Sequence, residues 1–236
     1  MKLSYRYYDF IVALFVCVLM LSNLLSSAKI IDTGLNLFGF QAAFDAGTLV
    51  FPISYIFGDI LTEVYGYKRS RRVIWSGFIA TALMGIFVWA AGLLPGEASW
   101  QSAVGDSAYQ AILGGISGLV VASLVAYFAG EFTNSYVLAR MKVVTKGRWL
   151  WSRTIGSTIA GQAVDTLVFF LVAAGLGVFS WDILPSLMVT NYVLKVGLEV
   201  ILTPLTLYVI PALKRAEGED VYDTHTNFNP FRFELD

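Results

Sequence analysis

The sequence predicts an all-α, polytopic membrane protein with six transmembrane helices. Apolar residues fill 57% of the 236 positions and charged residues only 14%, against roughly 25% charged in a soluble domain. Six apolar runs approach the roughly 20 residues that a helix needs to cross a bilayer core. The Lys and Arg residues gather in alternate links between those runs. With a mean hydropathy of +0.68, the chain has too much hydrocarbon for a water-exposed surface. A secreted disulfide scaffold, a disordered chain and a conventional nucleic-acid binder are thereby excluded. Cys17, the one cysteine, lies in an apolar run and can form no intrachain disulfide.

The first span covers about residues 9–28. Lys2 and Arg6 before it, with Ser26-x-Ala28 at its end, resemble a cleavable signal peptide. Its apolar run is long for that role and five spans follow, so it is expected to be retained. The link 30–44 is apolar but broken by Asp32, Gly34, Asn36 and Gly39; a short hairpin and a re-entrant cap both fit. The second span, about 45–65, and the third, 73–94, flank a link holding Lys68, Arg69, Arg71 and Arg72. The link 95–110 has no Lys or Arg but contains Trp100 and Tyr109, amphipathic aromatics that settle at a membrane surface. The fourth span runs from about 111 to 138, and Arg140, Lys142, Lys146, Arg148 and Arg153 follow it. The fifth covers about 154–179 and the sixth about 185–210, the latter followed by Lys214 and Arg215.

Such long, unalternating runs are helices rather than barrel strands, because every amide in hydrocarbon must be paired within its own segment. Cytoplasmic loops accumulate Lys and Arg. Both termini and the even-numbered links are therefore expected in the cytoplasm, with Lys29 the one dissenter. Residues 1–213 form the transmembrane domain. Residues 214–236 form a polar cytoplasmic tail whose composition, taken alone, implies limited order. The pairs Gly114 with Gly118, Gly156 with Ala160, and Gly175 with Gly177 are expected to let helices approach closely.

Charges within the spans carry the functional signal, since an Asp, Glu or Lys at mid-membrane costs about 2.5–3.5 kcal/mol and tends to face a bundle interior. Asp59 and Glu63 share one face of the second span. Glu131 and Asn134 lie in the fourth, and Gln162, Asp165 and Thr166 in the fifth. Asn191, Lys195 and Glu199 stripe the sixth at successive fours. At 1.5 Å per residue, Asp59 lies about 13 Å before Lys68, and Glu131 about 13 Å before Arg140. Asp165 lies about 18 Å beyond Arg153. Four helices thus bring a carboxylate to the membrane interior at levels that can converge on one cavity. Lys195 is the lone deep cation, so either some acids carry protons or the cavity receives a cationic or N–H-rich guest. Blander roles exist: Glu63 could reach towards Arg71 or Arg72, and Lys195 with Glu199 could be a structural ion pair. Gly58-Asp59-Ile60-Leu61-Thr62-Glu63 also echoes Gly130-Glu131-Phe132-Thr133-Asn134 with one residue dropped, as a parallel internal repeat would.

Several chemistries are excluded. The one histidine, His225, lies in the tail, which leaves no base for a serine nucleophile and no zinc ligand set. An aspartyl protease would need two facing carboxylates; Asp59 and Asp165 are the available pair, but Phe57-Gly58-Asp59 lacks the Gly-x-Gly-Asp context. No phosphate-cradling Gly-x-x-x-x-Gly-Lys-Ser/Thr loop occurs. A metal, a cofactor and nucleic-acid binding are not expected, and a carrier or channel remains.

Phe57-Gly58-Asp59-Ile60-Leu61-Thr62-Glu63-Val64-Tyr65-Gly66, followed by the basic link, resembles the hallmark of the queuosine precursor transporter family, also called vitamin uptake transporters. Ser152-Arg153-Thr154 with Gly161-Gln162-Ala163-Val164-Asp165-Thr166 is similar to its fifth-helix motif. Asn191-Tyr192 through Lys195 and Glu199 to Thr203-Pro204 is similar to its sixth, and Thr226-x-Phe228-Asn229-Pro230-Phe231 to its tail. The likeness covers nearly the whole chain, and the combination is specific where each piece alone is weak. It implies six helices and import of prequeuosine deazaguanine bases across a bacterial inner membrane. It also implies an architecture similar to the substrate-binding subunits of energy-coupling-factor transporters; of the small residues those subunits use for docking, only Ala13-x-x-x-Cys17 has a counterpart here. On this resemblance Asp165, Glu131 and Glu199 are the expected substrate contacts. Gln162, Asn191, Asn134 and Lys195 complete the lining, and Asp59 and Glu63 form a gate or coupling site. Two alternatives stay open: a binding subunit worked by a separate ATP-driven module, and an intramembrane enzyme using Asp59 and Asp165. A homo-oligomer is compatible with the sequence.

Overall fold

The structure is a computed structural model that describes residues 5–37, 40–114, 116–177 and 180–232. Helix α1, Tyr8–Ala28, buries Ile11, Phe15, Leu19 and Ser22. That spacing places one stripe on the bundle and leaves Phe10, Leu21 and Leu24 on the outside. Ile30–Leu37 (β1) and Phe40–Asp45 (β2) pair antiparallel with Ile30 opposite Asp45 and Leu37 opposite Phe40. Of the two conformations the link 30–44 allowed, the hairpin is the one formed; residues 38 and 39 lie outside the described residues. Gly34, at φ +69°, donates its N–H to the Asp32 carboxylate at 2.9 Å.

Helix α2, Phe51–Tyr65, is only 15 residues long, about 22 Å, and is buried on nearly all sides. Its first turn holds Pro52, whose missing N–H costs nothing there. It ends at Gly66, where φ is +83° and a Cβ would lie 2.6 Å from Val221. Helix α3, Tyr67–Gly92, begins directly after that glycine, so the basic segment 68–72 is not a loop but the first turns of α3. A hydrogen-bonded helical turn satisfies the backbone of these residues and lets Arg71 reach inward. Two short helices follow, α4 at Ala98–Ala103 and α5 at Gly105–Tyr109. The Glu97 carboxylate caps α4 by accepting from the Ser99 and Trp100 N–H groups. Helices α6, Ile116–Val144, α7, Leu150–Gly175, and α8, Leu184–Glu217, complete the bundle. As in α3, Arg140 and Lys142 belong to α6, and Lys214 and Arg215 to the last turn of α8. The α6–α7 reversal puts Lys146 and Trp149 in the left-handed region. Among the described residues four helices, α1, α3, α7 and most of α8, are long and apolar enough by themselves to cross a membrane.

Of the glycines the sequence singled out, Gly156 does approach α6, where an added Cβ would lie 3.0 Å from the Met141 side chain. Nothing lies within 4 Å of a Cβ built on Gly175 or Gly177. The tight crossing joins α6 to α7: a Cβ on Gly130 would sit 2.7 Å from the Asp165 Cβ, and one on Gly161 2.8 Å from the Asn134 Cβ. The apolar core, with Phe15, Leu19, Ile60, Val64, Tyr67 and Ile74, lies between α1, α2 and α3.

The tail folds back rather than trailing away. Arg71 donates to the carbonyls of Asn227 and Asn229 at 2.9 and 2.7 Å, and the Trp75 indole to that of Pro230 at 2.9 Å. The Tyr67 N–H donates to Asp223 and its hydroxyl to the Phe228 carbonyl. Phe228 and Phe231 lie against Tyr67, Trp75, Phe128 and Tyr136. Composition suggested little order here because it could not show that α3 and α6 present waiting donors and rings.

Candidate functional site

The heart of the bundle is polar. Short, buried α2 supplies Tyr55 and Asp59, with Gly58 between them and the next helix: a Cβ on Gly58 would lie 3.0 Å from Glu131 Oε2. On α6, Glu131 and Asn134 point inward, and the Asn134 amide donates to Asp59 Oδ1 at 3.0 Å. The glycine crossing brings α7 close enough to set Gln162, Asp165 and Thr166 beside them. From α8, Lys195 Nζ reaches Asp165 Oδ2 at 2.8 Å and stands 4.2 Å from the centre of the Phe51 ring. Glu199, one turn on, lies within electrostatic reach of Asp59 and Glu131, and Glu131 of Asp59 and Asp165. The Tyr55 hydroxyl faces Asp165, Glu131 and Glu199. Four helices therefore bring four carboxylates together.

Few of these groups have partners. Asp59 Oδ2, both oxygens of Glu131, Asn134 Oδ1, Gln162 Oε1, Thr166 Oγ1, Glu199 Oε2 and the Tyr55 hydroxyl are buried without a hydrogen bond. A buried polar group left unpaired costs about 1–3 kcal/mol, more if charged. An array of this kind is unfavourable in an inert core and suits a guest rich in N–H donors. Nearly all its free atoms are acceptors.

The sequence-expected residues divide. Asp59, Glu131, Asn134, Gln162, Asp165, Lys195 and Glu199 come together. Glu63, four residues beyond Asp59, belongs to a different cluster at the end of the bundle where Lys and Arg collect. Its carboxylate accepts from Arg153 Nε and Lys214 Nζ, both at 2.9 Å, and Lys142 Nζ lies at 3.6 Å. Asp220 of the tail joins them through Lys142 and Lys214 at 2.6 and 2.8 Å. The expected partners Arg71 and Arg72 are not those that hold Glu63. Asn191 donates to the Leu187 carbonyl of its own helix at 3.2 Å. Lys195 pairs with Asp165 of α7 rather than with Glu199 of its own helix. Asp59 and Asp165 are held by different partners, Asn134 and Lys195, whereas an aspartyl-protease dyad needs its two carboxyls face to face.

Phe51 and Tyr55 escaped the sequence reasoning. Aromatics in an apolar run look like packing, and only the spacing of Phe51, Tyr55 and Asp59 at successive fours could have placed them on the functional face.

Three comparisons bear on this arrangement. The profile of a family described as "Putative vitamin uptake transporter" matches residues 45–209, which includes every residue of the polar cluster. The chain is similar to the "Probable queuosine precursor transporter" of Bacillus subtilis (strain 168), 30% identical over 170 residues, 72% of each chain. It is 26% identical over 148 residues to the "Queuosine precursor transporter" of Escherichia coli (strain K12), covering 63% of this chain and 62% of that protein. A "Probable queuosine precursor transporter" of Haemophilus influenzae is 25% identical over 138 residues, 58% of this chain and 54% of that one. No solved structure matches.

Proposed function

The chain belongs to the vitamin uptake transporter family, a multi-pass membrane family, and on that premise we propose that it imports queuosine precursors, the prequeuosine deazaguanine bases, into the cytoplasm. The five long helices α1, α3, α6, α7 and α8 cross a bacterial inner membrane in this reading and the short α2 is a sixth span buried among them, with both termini and the Glu63 cluster on the cytoplasmic side. The Lys and Arg residues at that end of α3, α6, α7 and α8 support the orientation.

The observation that carries the substrate assignment is the set of buried acceptor oxygens at Asp59, Glu131, Gln162 and Glu199 with no donor in the protein. A deazaguanine presents a ring N–H beside an exocyclic amine, which one carboxylate accepts together, as Asp and Glu accept from base edges in nucleic-acid sites. Asp165, Glu131 and Glu199 are the contacts for that edge, and Asn134 and Gln162 orient it. Asn191 contributes after a rotamer change, and Lys195 bounds the site at Phe51. The flat face of the base lies on an aromatic ring, a contact worth about 1–3 kcal/mol per base in nucleic-acid sites; Phe51 and Tyr55 are the rings at hand.

The test is binding of the cyano and aminomethyl bases to purified wild type and to Asp165→Asn, Glu131→Gln and Glu199→Gln. A hydrogen bond to a charged group contributes about 1.5–3 kcal/mol, so each variant is expected to lose about tenfold or more in affinity. Equal affinity in all four proteins overturns the site. A second reading, a binding subunit worked by an ATP-driven partner, draws on Ala13 and Cys17, which face outward from α1 as a docking stripe would. Base uptake by the chain alone in liposomes, without ATP, rules that dependence out.

A further inference from the structure

The four acids of the site are not equivalent. The Lys195 side chain keeps 15% of its exposure, while its partner Asp165 is 4% exposed, Glu199 2%, and Asp59 and Glu131 not at all. The ion pair marks the mouth of the site, and the other three acids form its floor. On that floor Asn134 serves one oxygen of Asp59, and four other carboxylate oxygens have no donor. Among the described residues no cation lies within ion-pair distance of Asp59, Glu131 or Glu199. The Tyr55 hydroxyl, on a side chain 1% exposed and equally without a partner, faces Glu131 and Glu199. The other titratable groups in view are Tyr127 on α6, Asp165 on α7 and Glu63 on α2. Glu63 is already matched by Arg153, Lys142 and Lys214.

Three unpaired carboxylates in a water-poor interior need positive charge, because each isolated buried ion costs several kcal/mol. Lys195 cannot supply it while bound to Asp165. A metal ion does not suit the donor geometry: among the described residues no three acids are arranged to hold one. Protons do suit it. Each carboxyl can take one separately, and a protonated carboxyl is neutral and gains an O–H donor.

We infer that Asp59, Glu131 and Glu199 bind the ion that drives this carrier, a proton moving in the same direction as the base. The inference rests on the import reading above and adds its energy source. Glu131 faces both Asp165 at the mouth and Asp59 behind it, so an N–H edge arriving at the mouth changes the charge balance felt by the floor. Asp59 in turn faces Glu63, which leads to the basic end of the bundle. The proton is taken up from the outer side with the base and released at the inner side, and no bond in the base changes.

The experiment uses the purified full chain in liposomes with radiolabelled cyano base. A one-unit pH gradient, alkaline inside, is worth a factor of about ten for each proton moved. Wild type is expected to accumulate base about tenfold under that gradient, to lose accumulation with a protonophore, and to gain nothing from a sodium gradient at equal pH. Asp59→Asn is expected to lose the accumulation while keeping the helix content and monodisperse elution of wild type in detergent. Exchange by wild type with no gradient-driven accumulation, or accumulation driven by sodium, overturns the proton while leaving the import reading intact. Undiminished accumulation by Asp59→Asn overturns the place given to Asp59. If wild type neither exchanges nor accumulates base, the import reading falls and the proton with it. The wild-type arms decide the matter even where the variant fails to fold.

Discussion

Glu63 shows how much a single side chain depends on its surroundings. It is fully buried, yet three cations converge on it and Asp220 balances part of the remaining charge. Breaking a buried ion pair from one side strands the partner charges, which costs about 3–5 kcal/mol. Glu63→Gln is therefore expected to lower the thermal midpoint in detergent sharply; an unaltered midpoint would show that Asp220 alone satisfies Lys142, Lys214 and Arg153. Asp220 gives a pH dependence of definite sign. Burial works against its charged form, but hydrogen bonds from Lys142 and Lys214 and their charges outweigh it and hold the carboxyl below its ordinary value. A group depressed in the folded state stabilises fully above its unfolded value, near 4, and loses that contribution as the pH falls through the folded value. The tail should keep its docking from neutral pH to about 5 and loosen below about 4. Hydrogen exchange of its amides, corrected for the intrinsic effect of pH, reads this directly, and protection that persists at acid pH contradicts it.

At the level of elements, the α6–α7 crossing governs the site. Gly130 and Gly161 let two backbones approach until Gly130 lies against Asp165 and Gly161 against Asn134, and an added Cβ meets Asp165 Cβ or Asn134 Cβ, atoms that cannot swing away. Overpacking of this kind costs about 1–3 kcal/mol. Gly161→Ala is expected to lower stability by that amount and to weaken base binding, because separating α6 from α7 moves Asn134 and Glu131 away from Gln162 and Asp165. A variant that melts lower but binds the base as wild type does would separate the crossing from the site. The apolar helices α1, α3, α7 and α8 were legible in the sequence because hydrocarbon demands long apolar helices. The crossing was not: Gly-rich pairs occur at several places, and which of them meets a neighbour depends on helix rotation.

Taken whole, the molecule is tied together at its basic end. The Tyr65 hydroxyl and the N–H groups of Arg6 and Tyr7 all donate to Glu217 at 2.8 Å, joining the starts and ends of α1, α2 and α8. The tail then runs over α3 and α6 to Pro230 and Phe231. Truncation after Glu219 removes Asp220 from the cation cluster, the carbonyls that Arg71 needs and the rings over Trp75. Such a chain is expected to insert and remain helical but to melt several degrees lower, as measured by circular dichroism in detergent. An unchanged midpoint would make the tail an ornament.

The amino-acid order alone determined the membrane class, the run of apolar helices and the presence of charges within them, since these follow from composition and period, which need no partner. The family resemblance in Phe57–Gly66 and its companions was legible on the same terms. Only the tertiary structure decided which charges meet: that Lys195 takes Asp165, that Glu63 leaves the site for Arg153 and Lys214, and that Phe51 and Tyr55 enter it. Those outcomes turn on the rotation and depth of helices relative to one another, which are set where glycines allow contact and which no single helix encodes.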